Sequence, residues 1–270
     1  MAADTKKTKQ TIVSKPFMTG NATDRSMIGD ALAFLGVWAV CVFMCAIACM
    51  VVLPGSDGLR IAFDCIIELI VLMLFFNNGA NKGTEAVGRG EIMYQRSENG
   101  RPVSDDEKAS CYHPVKGFLT GIAGTLPLLI LTVTLALLAK RTVTTAGTLP
   151  AWLSGYERRS EIGDALTAYT QLTPASFTDI LRMIVRILIM PVVSAIGSEN
   201  REGLLLAERL SPLVVLLPAI AYGIGYTRGP VLRSRVHTAI ADGKKKQRKR
   251  EKREHRERRR SITKGTEKLN

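Results

Sequence analysis

Residues 31–53 read ALAFLGVWAVCVFMCAIACMVVL, twenty-three positions without one charged side chain. As an α-helix rising about 1.5 Å per residue, this stretch reaches roughly 35 Å, enough to cross a hydrocarbon core of about 30 Å. A second uncharged run of the same length, Gly117–Ala139, repeats the signal. Lipid is therefore the expected solvent. The expected fold class is all-α: a polytopic α-helical membrane protein with four transmembrane helices, one amphipathic or re-entrant helix and a basic cytoplasmic C-terminal tail.

Working outward, Pro54-Gly55-Ser56-Asp57-Gly58 is a tight-turn sequence that sends the next segment back antiparallel. That segment, Ile61 to about Phe76, is the second span, so residues 29–77 form a transmembrane hairpin. Residues 78–116 are polar, with six Lys/Arg against six acidic residues, and are expected to form a cytoplasmic loop. Asn77–Gly83 reads as the helix stop that opens it. Within the loop, Ser104-Asp105-Asp106-Glu107 has the pattern of a capping box. Residues 117–139 are the third span, with Gly117, Gly121 and Gly124 as a close-packing face and Pro127 as a kink.

Residues 140–178 are a polar extracytoplasmic segment in this reading, with a short helix over Gly155–Tyr169. Residues 179–197 are apolar but carry Arg182 and Arg186, which share one helical face with Thr178. They read as an amphipathic or re-entrant helix that Pro191 bends or ends. Residues 210–227 are the last span, interrupted by Pro212 and Pro218, and residues 228–270 are the tail. Residues 1–28 are polar and expected to be disordered.

Charge fixes the expected orientation. The net charge is +13, and residues 243–260 alone hold twelve Lys/Arg against three Glu. Basic flanks before the first span and after the last place both termini in the cytoplasm, which requires an even number of crossings. The first apolar run begins at Ala31 and has no small-residue cleavage site behind it, so it reads as a retained span. The expected location is a bacterial cytoplasmic membrane.

Two groups of residues stand out as candidate sites. Arg60, Asp64 and Glu68 are four apart and line one face of the second span. An Asp at bilayer depth costs roughly 2.5–3.5 kcal/mol unless paired, protonated or wet. Arg182 and Arg186 match them in sign and spacing, so Asp64, Glu68, Arg182 and Arg186 are expected to form an intramembrane polar cluster. Glu68 is the deepest charge. The cluster serves either an ion or proton path or an internal staple, and Arg60 and Asp64 could equally sit among headgroups. The second group is the tail: Lys244, Lys245, Lys246, Arg248, Lys249, Arg250, Lys252, Arg253, Arg256, Arg258, Arg259 and Arg260. These are expected to bind anionic lipid. Phosphate contacts to RNA or the ribosome are the alternative, and the segment has no aromatic residue on which a base could stack.

Cys41, Cys45 and Cys49 recur every four residues. They read as a stripe of small residues for close helix packing, since a thiolate in hydrocarbon is costly without a metal. His113, His237 and His255 are scattered, and no phosphate-binding glycine loop or nucleophile elbow is present. No catalytic residue, metal or cofactor is expected. The function this supports is a non-catalytic component of a transport or secretion system, with a membrane-protein partner or a second copy of itself. The alternative is a membrane anchor or scaffold whose tail recruits anionic lipid, nucleic acid or a soluble partner.

Overall fold

The structure is a computed structural model that describes residues 14–50, 57–139, 177–197 and 200–266. Residues 54–56 of the expected turn and the expected helix over Gly155–Tyr169 lie outside the described residues. Among the described residues there are eight helices and no strand: α1 Ser26–Met50, α2 Asp57–Glu98, α3 Asp105–Ala109, α4 Lys116–Leu138, α5 Phe177–Leu188, α6 Met190–Ile196, α7 Arg201–Thr227 and α8 Gly229–Thr266.

Three stretches, Ser26–Cys49, Lys116–Leu138 and Glu202–Thr227, are long and apolar enough to cross a membrane, which marks a multi-pass membrane protein. Their outward side chains fit that solvent. Phe43 is 65% exposed and Leu137 81% exposed, positions that water would penalise and acyl chains would not. The first half of α2 carries Arg60, Asp64 and Glu68 and is not among the three.

The chain divides into two compact units. The first comprises Met1–Asp30, Met73–Gly121 and Ile220–Asn270. Here α2 departs from the sequence reading. It does not stop near Phe76; the expected loop from Asn78 is helical as far as Glu98. Packing overrides the polar composition. Ala80, Ala86 and Val87 are buried, and Gly79 and Gly83 lie so close to α7 that a methyl group on either would strike the carbonyl oxygen of Tyr222 or Tyr226. The N-terminal segment is also held from Ser14 onward, where disorder is expected from its polarity. The Met18 N–H donates to the Gly90 carbonyl (3.1 Å) and the Gly20 N–H to the Tyr112 carbonyl (2.9 Å). Phe17 meets Tyr112 edge-on with ring centres 6.0 Å apart, and Tyr112 stacks on Tyr226 at 5.4 Å. α3 follows the capping-box pattern: the Ser104 N–H donates to Glu107 Oε2 at 3.3 Å.

The second unit comprises Ala31–Leu72 and Ile122–Ala219. α1 and α4 touch at Gly124, where a side chain would collide with the Ala31 carbonyl and the Phe34 ring. Leu135 of α4 packs on Leu181 and Val185 of α5. The segment read as one amphipathic or re-entrant helix is two, α5 of 12 residues and α6 of 7, each too short to span a bilayer alone. The break sits at Ile189, with φ −109° and ψ 30°, just before Pro191. α7 begins at Arg201 rather than Leu210 and continues through Pro212 and Pro218.

Candidate functional site

The early start of α7 supplies the residue that organises the second unit. Counting back along the buried face of α7, Tyr226, Tyr222, Ala219, Val215 and Ser211 lead at helical spacing to Glu208. Glu208 is 1% exposed. Arg182 Nε lies 3.0 Å from both of its carboxylate oxygens, and Arg186 donates to Oε1 from Nε (2.9 Å) and Nη2 (2.7 Å). The two guanidiniums are one turn apart on α5, so a single carboxylate can take both.

This divides the four-residue cluster expected from the sequence. Arg182 and Arg186 meet Glu208; among the described residues neither pairs with Asp64 or Glu68. Asp64 and Glu68 do share one face of α2, but what faces them is the cysteine stripe of α1. The Cys49 thiol donates to Asp64 Oδ1 at 3.5 Å. Asp64 is 2% exposed, and its Oδ2 has no hydrogen-bond partner among the described residues. Glu68 lines a cavity of about 30 Å³ together with Trp38, Cys41 and Cys45 of α1, Ile189 and Pro191 at the α5–α6 break, and Val215 of α7. The cysteines therefore do more than let helices approach. They give the carboxyls a weakly polar wall. Arg60, at the start of α2, lies beside Gly197, where a side chain would come within 3.1 Å of its guanidinium.

The first unit carries its own ion pairs. Glu91 of α2 takes Arg233 (3.0 Å) and His237 (2.7 Å) from one face of α8. Burial raises the affinity of Glu91 for a proton, but the hydrogen bonds from Arg233 and His237 outweigh it and hold the carboxyl below its usual range. The same balance lowers Asp24: burial opposes ionisation, and the Ser26 hydroxyl and the Lys116 ammonium at 3.3 Å prevail. Lys82 pairs with Asp30 at 2.9 Å. A cleft of about 210 Å³ beside Glu91 is walled by Phe17, Val87 and Pro230.

The basic tail is helical in α8. Lys244, Lys245, Lys246, Arg248, Lys249, Arg250, Lys252 and Arg253 are exposed, and Arg250 pairs with Glu254 at 3.1 Å. Arg256, Arg258, Arg259 and Arg260 lie in the same helix, with side chains outside the description. No three His, Cys, Asp or Glu side chains among the described residues converge as metal ligands. Glu208, absent from the sequence reading, was signalled by its phase with the apolar face of α7. Glu91 was signalled by nothing local, since its partners lie more than 140 residues away.

Comparison of the chain with protein-family models, with curated proteins and with solved structures gives no match.

Proposed function

We propose that this chain is a membrane-embedded, non-catalytic component of a transport or secretion system. It crosses a bacterial cytoplasmic membrane four times, α2 included, with both termini in the cytoplasm. One observation carries the reading: the break between α5 and α6 falls on the cavity that Glu68 lines. A helix interrupted inside an apolar bundle leaves backbone carbonyls without helical partners. Pro191 has no N–H to return to Ile187, and the Val192 N–H turns to Ile189 at 3.0 Å. Such half-helix ends tolerate hydrocarbon only where they face protein or a polar cavity, and in secondary transporters they line the ion site. Here the C-terminal end of α5, the negative pole of its dipole, and the Glu68 carboxyl share one cavity, an arrangement suited to a cation. The Glu208 clamp holds α5 so that its end stays there.

The test is access. A variant that keeps Cys45 as its one cysteine is placed in sealed membranes and treated with a charged, water-soluble thiol reagent. Cys45 shares the cavity with Glu68, so a transport cycle that opens this cavity to water exposes Cys45 to the reagent in the open state. A Cys45 that reacts with membrane-permeant maleimide and never with the charged reagent indicates a dry bundle, and the transport reading then falls to the anchor reading. The exposed Lys and Arg side chains of α8 favour that second reading. Each cation near an anionic leaflet is worth about 1 kcal/mol.

A further inference from the structure

We propose that Glu68 and Trp38, bridged by a water molecule, form a proton-binding site, so that the cation this bundle exchanges is the proton and not an alkali or metal ion. The use of the site rests on the transport reading; its existence does not.

Trp38 is 5% exposed and lines the Glu68 cavity, and its Nε1–H finds no acceptor among the described residues. Buried donors are almost always paired, and among the described residues Glu68 is the one charged acceptor on the same cavity wall. At about 30 Å³ the cavity accommodates a water between them, since a water needs on the order of 10–15 Å³ of such space. It has no room for a hydrated ion.

The donor set points to the proton. Among the described residues, the titratable groups facing Glu68 are the thiols of Cys41, Cys45 and Cys49 from α1; α5, α6 and α7 turn only apolar side chains to its cavity. Asp64, a turn away on α2 itself, adds a carboxyl and not a cation. A hard cation takes six or more oxygen ligands, which one carboxyl and a few carbonyls do not supply. A soft cation takes converging thiolates, and no three such ligands converge among the described residues. A carboxyl in apolar surroundings with no cation beside it is relieved by a proton. Asp64 Oδ2, buried without a partner and one helical turn from Glu68, offers a second station on the same face.

The experiment uses a hydrophobic carbodiimide, which reacts with protonated carboxyls within a bilayer, on the full-length protein in liposomes. Peptide mapping should find the adduct on Glu68. Its rate should fall about tenfold per pH unit on the alkaline side of the transition. Sodium should give no protection, and a water-soluble carbodiimide should not produce the adduct. Infrared spectroscopy should show a carboxylic-acid carbonyl band that is lost in Glu68→Gln and shifted in Trp38→Phe. An adduct on Asp64 alone, a rate independent of pH, or protection by sodium would each overturn the proposal. Mapping on the unsubstituted chain keeps the test valid if Glu68→Gln fails to fold. Charged thiol reagents reaching Cys45 without carbodiimide labelling of Glu68 would sink the proton site and leave the transport reading standing; the reverse pattern would do the opposite.

Discussion

Glu208→Gln isolates what the carboxylate does for the second unit. The substitution keeps the shape and one carbonyl acceptor but deletes the charge that two guanidiniums share. Removing one member of a buried ion pair typically costs about 3–5 kcal/mol, because the remaining charge is left without compensation. The side chain of Arg182 is 14% exposed and has little water to turn to, whereas that of Arg186 is 38% exposed and is partly solvated. The lower end applies, about 3 kcal/mol, or roughly a hundredfold in the folding equilibrium. The assay is reversible unfolding of the purified protein in mixed micelles, followed by helicity. A double-mutant cycle with Arg182→Met should return a coupling above about 1 kcal/mol. Replacing Arg182, Arg186 and Glu208 together by Met should restore stability close to the starting level, since a whole buried ionic group can be exchanged for apolar volume. If Glu208→Gln unfolds within about 0.5 kcal/mol of the unsubstituted chain, the carboxylate contributes no net stability and the reasoning about α5 is wrong.

Three further outcomes follow from the same structure. Gly83→Leu should displace α7 from α2 and cost more than about 2 kcal/mol, whereas Gly36→Ala, with nothing near its missing side chain, should be neutral or stabilise by up to about 1 kcal/mol; thermal unfolding separates them. Glu91 has a proton affinity lowered by folding, so its contacts stabilise at pH above the free value of about 4.3 and are lost as pH falls through the lower folded value. The melting-temperature gap between the unsubstituted chain and Glu91→Gln should therefore hold at neutral pH and close on acidification; a gap that widens in acid contradicts the assignment. Truncation after Asp242 should abolish salt-sensitive retention of the solubilised protein on anionic-lipid beads and leave zwitterionic beads unaffected, while equal retention on both would rule out lipid adhesion by α8.

The parts of the fold that were legible are those where solvent alone decides. An uncharged run such as 31–53 or 117–139 has one low-energy state in a bilayer, and α1 and α4 match those runs within a few residues. The last span was visible for the same reason, but its start was not. The helix carries Glu202, Glu208 and Arg209 ahead of the apolar run, and the Glu208 charge is neutralised there by α5, a partner no local pattern reveals. Asn77–Gly83 misled in the opposite direction. Its glycines and amides read as a stop, yet the glycines serve contact with a helix 140 residues away, which no local pattern reveals. The charged cluster was half legible. Its members were found, but pairing by sign and spacing chose Asp64 and Glu68 for the arginines when a third carboxylate lay in better register. The cysteines were read by size, and their placement opposite carboxyls depended on the rotation of α1 about its own axis.

The seam between α2 and α7 limits how the first unit can move. Gly79 and Gly83 lie under the carbonyls of Tyr222 and Tyr226, with both pairs spaced four apart. Sliding one helix past the other is therefore not a continuous motion: the next seat lies one full turn, about 5.4 Å, along the axis. At that seat Phe75 or Val87 would have to occupy space where even a methyl group collides. The two helices work as a ratchet with a single usable tooth, so shear along this seam is locked and movement within the first unit comes from bending elsewhere.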